Sequence, residues 1–273
     1  NAALEQIRQV EAILHVVRCL DDGTGEIDSE GDIEQMQGEL ILADLVVAEG
    51  AKERATRSAR GADREAKERL EVLSKVIEIL ENERPLSSKP DWTDPERRIL
   101  KSFGFVTAKT MLYVANVGED DVNGESAAAQ AVARYAESVG SECVPVCAQL
   151  EAELAELSDE ERDEMLADLG LTEPAIGPLA RAANRVLGLT TFYTAGDKEV
   201  RAWPVRIGAS APEAAGAIHS DIERGFIRAE CYHVDDLTQH KTEKAIREAG
   251  KLRSEGKSYT VQDGDVVHFL FNV

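Results

Sequence analysis

A side-chain amide and a carboxylate stand three residues apart in Asn116-Val117-Gly118-Glu119, directly after the apolar run Met111-Leu-Tyr-Val-Ala115. A run of this kind reads as a buried strand of a parallel sheet. Polar groups just past its carboxyl end sit where open α/β sheets bind their ligands. An amide and a carboxylate at that place suit the edge of a purine base. A carboxylate only accepts hydrogen bonds. Guanine offers two adjacent N–H donors to an aspartate at the fourth position, whereas adenine offers a donor beside an acceptor. The longer glutamate spoils the guanine fit and leans the pocket toward adenine. The four-residue pattern is short and recurs by chance, and its plain alternative is a strand running into a polar loop.

Other chemistries find less support. The four cysteines, Cys19, Cys143, Cys147 and Cys231, make no Cys-x-x-Cys pair, and they read as buried free thiols in a reducing compartment. Cysteine, histidine and carboxylate spacing suggests no metal site. A net charge of −21 argues against indiscriminate nucleic-acid binding. The charge is uneven, however. Between Lys52 and Arg69 seven basic residues face four acidic ones, so this segment is +3 in an acidic chain. From Gly188 onward 11 basic residues stand against 13 acidic ones, leaving only −2 there. An anionic partner is expected at the first of these places, and then at the second.

The elements that must position these residues follow from periodicity. With 273 residues and 43% hydrophobic content the chain can form more than one core. No apolar stretch reaches membrane-spanning length, and Asn1-Ala-Ala-Leu-Glu-Gln is no signal peptide. The chain opens inside a helical pattern (Leu4, Ile7, Val10), which suggests a truncated or partly observed protein. Leu14 to Leu20 suits an interior strand, followed by an acidic, Gly-rich loop over residues 21–31. A long helix is expected from near Ile33. Ile41, Leu45, Ala48, Ala55 and Ala59 fall on one seam; Leu70, Leu73, Ile77 and Leu80 continue it after a break at residues 60–63. Two such helices make an antiparallel hairpin with the basic cluster at its tip. The plain alternative is a solvated face with intrahelical ion pairs.

Residues 85–95 read as a Pro/Ser-rich connector, and 97–105 as a helix leading into the 111 strand. A helix over 127–138, a strand over 141–148, an acidic helical region over 150–169 and a helix over 178–187 follow. This β–α–β–α order implies parallel pairing. After Gly188 the pattern changes to a hairpin of strands (190–194 and 200–207), a helix over 212–224 and strands at 227–232 and 266–271. That is a small α+β domain of β-grasp shape.

At this point the chain resembles, from end to end, the YchF-type ATPases of the Obg-like P-loop NTPases. The resemblance is carried by His15-Val-Val-Arg-Cys19, Glu39-Leu-Ile-Leu-Ala-Asp-Leu45, Tyr113-Val-Ala-Asn-Val-Gly-Glu119, Val144-Pro-Val-Cys-Ala148 and Asp159-Glu-Glu-Arg-Asp163. Further on it is carried by Thr191-Phe-Tyr-Thr-Ala-Gly196, Glu199-Val-Arg-Ala-Trp203, Gly225-Phe-Ile-Arg-Ala229 and residues 264–273. It implies an α/β fold in three parts. A partial P-loop NTPase domain with a parallel sheet covers residues 1–38 and 99–187, an inserted antiparallel helical hairpin covers 39–98, and a TGS domain of β-grasp fold covers 188–273.

The resemblance also implies function: ATP hydrolysis in preference to GTP, with Mg²⁺ accompanying ATP, and association with ribosomes or RNA. Asn116, Val117 and Glu119 match the altered base-specificity motif, and Cys147 and Ala148 match the last nucleotide-contacting loop. Arg54, Arg57, Arg60, Arg64 and Lys67 on the hairpin are the candidate RNA contacts, with Arg201 and Arg228 in the last domain. A monomer in the cytoplasm or an organelle stroma is expected, with no membrane partner.

Two departures qualify this. No Gly-x-x-x-x-Gly-Lys-[Ser/Thr] phosphate loop occurs, and the switch regions are absent apart from a helix tail near residues 1–10. The chain as written is therefore expected not to hydrolyse ATP, and its catalytic residues stay unassigned. The family's loop histidine has no counterpart in residues 21–31, while His15 reads as a core residue. Two functional hypotheses stand: a ribosome-associated ATPase, or a non-catalytic ribosome or RNA adaptor using the hairpin tip and the last domain. A fragment with exposed sheet edges is the third.

Overall fold

Apolar runs separated by long helical segments pair in parallel, because only such crossovers return the chain to the same edge. Three of them do so here: β1 (Ala12–Arg18), β2 (Thr110–Asn116) and β3 (Cys143–Val146), in the order β1-β2-β3. The computed structural model describes residues 2–58, 64–196 and 199–272, which fall into two compact units, Asn1–Val186 and Leu187–Val273. Arg60, the expected helix break at 60–63, Ala59 and Lys198 lie outside the described residues.

In the first unit, β2 is the central strand and is covered on both faces. Tyr113 and Ala115 join the cluster built with α5 (Ala127–Ser138), while Leu112 packs with Val144 and Ala182 on the other side. The strand expected at Leu14–Leu20 runs Ala12–Arg18, pairs in parallel with β2 and turns Val17 into the core.

The remaining helices of this unit are α1 (Ala2–Ile7), α2 (Ser29–Ser58), α3 (Arg64–Glu81), α4 (Asp94–Phe103), α6 (Ala148–Leu154), α7 (Asp159–Asp168) and α8 (Ile176–Val186). α2 starts four residues earlier than its hydrophobic pattern suggests. Asp28 accepts a hydrogen bond from the Gly31 amide, and acidic residues fill the first turn, where the helix dipole favours them. The same unbroken helix places Ile33 in the sheet cluster and Ile41, Ala48 and Ala51 in a second cluster with α3. α3 supplies Val72, Leu73, Val76, Ile77 and Leu80, so its buried stripe is wider than a heptad seam.

The Pro/Ser-rich connector is no loose linker. Leu86 and Trp92 are buried in the α2–α3 cluster, and the Trp92 indole donates to the Leu86 carbonyl at 3.2 Å. Thr93 and Glu96 form a capping box at the start of α4. Gly104 ends the helix in the left-handed region, where a Cβ would press on the Arg8 carbonyl at 3.1 Å. The acidic region at 150–169 divides into α6 and α7 because Ser158 caps a new helix with Glu161.

The second unit is a five-stranded mixed sheet of order β5-β4-β8-β6-β7, made by β4 (Leu189–Ala195), β5 (Val200–Arg206), β6 (Phe226–His233), β7 (Arg253–Glu255) and β8 (Asp265–Phe271). β4 pairs antiparallel with β5 and parallel with β8. Phe192, Phe226 and Phe269 meet edge-on in its core. The expected helix at 212–224 divides at His219 into α9 (Ala211–Ile218) and α10 (Ser220–Arg224). Sequence periodicity missed α11 (Val234–His240), α12 (Glu243–Glu248) and β7, all too short to show a period.

Candidate functional site

The carboxyl ends of the three parallel strands converge on Asn116. It is the last residue of β2, in register with Arg18 of β1 on one side and Val146 of β3 on the other. Its carbonyl accepts from the Cys19 amide at 2.9 Å, and the next amide, Val117, donates to the Val146 carbonyl at 3.0 Å. Asn116 is thereby fixed by backbone bonds to both neighbouring strands.

Its side chain then reaches across to the loop after β3. The Ala148 amide donates to Asn116 Oδ1 at 3.3 Å. An N–H can be accepted only by the oxygen of the side-chain amide, so this bond fixes its orientation and leaves the Nδ2 donors for another acceptor. Two of the sequence candidates, Asn116 and Ala148, are brought together directly. Cys147, between β3 and α6, is buried, as is Val117. Glu119 is exposed and begins a short 3-10 turn, Glu119–Asp121.

The loop past Glu119 is held by a residue that sequence reading passed over. The Asp121 carboxylate accepts from the Glu125 amide at 2.6 Å and from the Ser126 amide at 3.1 Å, and Ser126 in turn caps α5. Gly124 sits at positive φ with the Pro145 ring so close that a Cβ would lie 2.8 Å from it. The sequence signals for this were the turn dipeptide Asn123-Gly124 after Asp120-Asp121 and a Ser before an alanine run.

Arg18, also not foreseen, organises the loop on the β1 side. Its guanidinium donates to Asp22 Oδ1 (3.1 Å), Thr24 Oγ1 (3.3 Å), the Gly25 carbonyl (3.2 Å) and the Glu26 carbonyl (2.7 Å). The Asp22 carboxyl is held below the usual range, first by the Thr24 hydroxyl and amide and then by Arg18. Ser29, at the head of α2, donates to the Arg18 carbonyl and lies 3.5 Å from Cys19 Sγ. Burial pushes the Cys19 thiol up, so it stays protonated near neutrality. All four cysteines are free. His15 packs against Tyr113 with ring centroids 5.4 Å apart, and burial lowers its pKa.

The basic candidates stand elsewhere. Arg57 and Arg64 are exposed and pair with Glu53 and Glu68 one turn away, and Lys67 is exposed beside them. These two i,i+4 pairs are the intrahelical ion pairs that the plain reading of this surface expects. In the second unit the Arg201 guanidinium stacks 4.1 Å over the Trp203 ring, and Arg228 pairs with Glu230. Among the described residues no group of three or more His, Cys, Asp or Glu side chains is placed to hold a metal ion. No helix there is long and apolar enough to cross a membrane.

Comparison with known proteins places this geometry in context. The family model YchF-GTPase_C, described as a protein of unknown function (DUF933), matches residues 189–272. The Ribosome-binding ATPase YchF of Haemophilus ducreyi is 47% identical over 278 residues, covering 100% of this chain and 76% of that protein. The protein of the same name from Bacillus subtilis is 44% identical over 281 residues, with the same coverage. Among solved structures, the Schizosaccharomyces pombe YchF GTPase matches with a TM-score of 0.81 at 31% identity, covering 99% of this chain and 75% of that one. A GTP binding protein from Pyrococcus horikoshii shares the fold at a TM-score of 0.56 and 17% identity.

Proposed function

The chain belongs to the YchF family, and on that premise we propose that it is a translation-associated, ribosome-binding ATPase whose Asn116–Glu119 segment reads the adenine base. The observation that carries this reading is the bond from the Ala148 amide to Asn116 Oδ1 at the carboxyl ends of adjacent parallel strands. It ties the two loops into one wall and leaves Asn116 Nδ2 able to donate to the purine N7 acceptor. The backbone of Val117 and of Cys147–Ala148 lines the rest of the base site. Glu119 offers only acceptors, on an arm one methylene too long for the guanine edge, so guanine loses its paired donors there.

Catalysis is not assigned to any residue of this chain. The sequence contains no Gly-x-x-x-x-Gly-Lys-[Ser/Thr], and among the described residues no group of three or more His, Cys, Asp or Glu side chains is placed to hold a metal ion. Mg²⁺ belongs with the phosphates of ATP in this reading, and no step is routed through it. The second reading is a non-catalytic ribosome or RNA adaptor; ATP turnover by the purified protein separates the two.

Residues 1–38 and 99–187 are assigned to the nucleotide-binding domain, 39–98 to the helical hairpin and 188–273 to a TGS domain. Arg54, Arg57, Arg60, Arg64 and Lys67 would meet ribosomal RNA, with Arg201 and Arg228 as further contacts. A cytoplasmic or stromal monomer suits this role. Paired ATP and GTP titrations of Glu119→Asp test the base assignment. The preference should move toward GTP by about tenfold, about 1.4 kcal/mol; an unmoved ratio removes Glu119 as the selector.

A further inference from the structure

A buried carboxylate sits where the helical hairpin leaves the nucleotide-binding unit and where the chain returns to it. Asp44, fully buried halfway along α2, accepts four hydrogen bonds. Arg8 Nη1 (2.8 Å) and the Val106 amide (3.1 Å) donate to Oδ1; the Thr107 amide and hydroxyl (both 2.8 Å) donate to Oδ2. Arg8 also donates to the Gly104 carbonyl at 3.0 Å and the Ala43 carbonyl at 3.3 Å. Three segments distant in sequence, at residues 8, 43–44 and 104–107, are thus gathered on one charge.

Both chains leaving this point run to the base site. Val106–Thr107 lead into β2, which ends at Asn116. Toward its N-terminus α2 runs straight to Ser29, which is bonded to the Arg18 carbonyl, while the adjacent Cys19 amide is bonded to the Asn116 carbonyl. A helix rises about 1.5 Å per residue, so Asp44 lies about 22 Å from Ser29, with about 21 Å of α2 beyond it toward Ser58. The geometry is that of a lever with its pivot near the middle. A cleft of about 1120 Å³, lined by Arg8, Leu40, Trp92, Phe105 and Lys109 among others, opens beside the pivot.

The bonding at the pivot favours two discrete states over gradual bending. An ionised carboxylate without water must keep its donors, and partial withdrawal leaves it buried and under-satisfied. Close-packed surroundings likewise switch between arrangements more readily than they deform. We propose that Asp44 is the pivot coupling occupation of the base site to the posture of the hairpin, with Arg8, the one partner that reaches solvent in the cleft, as its releasable counter-charge. This rests on the ATPase reading above and deepens it: the hairpin becomes the reporter of nucleotide state, and Asp44 a positioning residue that touches no nucleotide.

Spin labels at the exposed positions Glu71 on α3 and Arg134 on α5 read the posture by distance measurement, with ATP binding recorded on the same samples. In the wild type, ATP should shift the distance distribution. In Asp44→Asn, and in the milder Thr107→Val should the first fail to fold, that shift should vanish while ATP affinity stays within about twofold. A shift that survives in both variants, or a wild type that binds ATP without any change in distance, overturns the pivot. A wild type that binds no ATP fails the ATPase reading at its own readout. The distances without nucleotide then decide the pivot separately: a broadened hairpin distribution in the variants supports it, and one identical to the wild type overturns it.

Discussion

Each unit of the molecule holds one fully buried aspartate bound to an arginine, and the two are used differently. Asp265 in the second unit accepts from Arg253, from the Tyr259 hydroxyl and from the Gln262 amide, all within twelve residues of itself. Its partner Arg253 is 41% exposed, and the cluster staples one local excursion, β7 and the loop after it, onto β8. Asp44 in the first unit gathers partners 36, 62 and 63 residues away, and its arginine is only 12% exposed. A local staple can open without disturbing its unit, whereas a long-range one, to which Arg8 adds bonds to the Gly104 and Ala43 carbonyls, joins segments far apart in the chain. The buried charge that holds the hairpin to the sheet is therefore the place where loss of one residue should be felt most widely.

The largest expected effect breaks this comparison most directly. Asp44→Ala removes the counter-charge of Arg8 and leaves three buried donors of Val106 and Thr107 without that acceptor, and should cost about 3–5 kcal/mol. Asp265→Ala, with a partner already half in water, should cost less, about 2 kcal/mol. Trp92 and Trp203 lie one in each unit, so fluorescence of single-Trp variants during denaturant unfolding reads the two losses separately. Equal losses would remove the distinction between long-range and local clusters.

Next in size, Asn116→Ala should weaken ATP binding by roughly 10- to 100-fold, about 1–3 kcal/mol, since it removes both the base donor and the acceptor for the Ala148 amide. Calorimetric titration of a variant with an unchanged melting temperature checks this, and an unaltered affinity moves the base site elsewhere. Reversal of Arg57, Arg60 and Arg64 to Glu should then weaken ribosome association and flatten its salt dependence. A slope across a salt series equal to that of the wild type would return the hairpin cluster to ordinary surface charge.

The smallest effect belongs to an exposed clasp at the base of the hairpin. The Lys75 ammonium, and then the Thr93 amide, hold the Glu96 carboxyl down to about 2 from its ordinary 4.5. A carboxylate depressed in the folded state adds stability that is fully present above pH 4.5 and is lost as the pH falls toward 2. Glu96→Gln should remove that part of the pH dependence in melts between pH 5 and 2 and leave stability near pH 7 slightly lower. An unchanged acid profile would show that the clasp does not form in solution.

Much of this was legible in the sequence because it is local. The apolar run at Met111–Ala115, the α2–α3 seams and the helix at 127–138 all emerge at their places from apolar spacing. Asp44 was quoted within a matching stretch yet given no role, since a lone acid on a long helix looks solvated until its partners are known. Those partners, Arg8, Val106 and Thr107, carry no periodic signal. Arg18 and Asp121 were missed for a related reason: their bonds run to loop backbone, which no side-chain pattern reports.

The central claim is that adenine sits against Asn116–Glu119 and the Cys147–Ala148 loop. Photolabelling with an azido-adenine analogue of ATP, followed by peptide mapping, tests it most directly. The account predicts label in peptides spanning residues 116–121 and 147–150, with unlabelled ATP protecting far better than GTP. Label confined to other peptides, or equal protection by GTP, would contradict it.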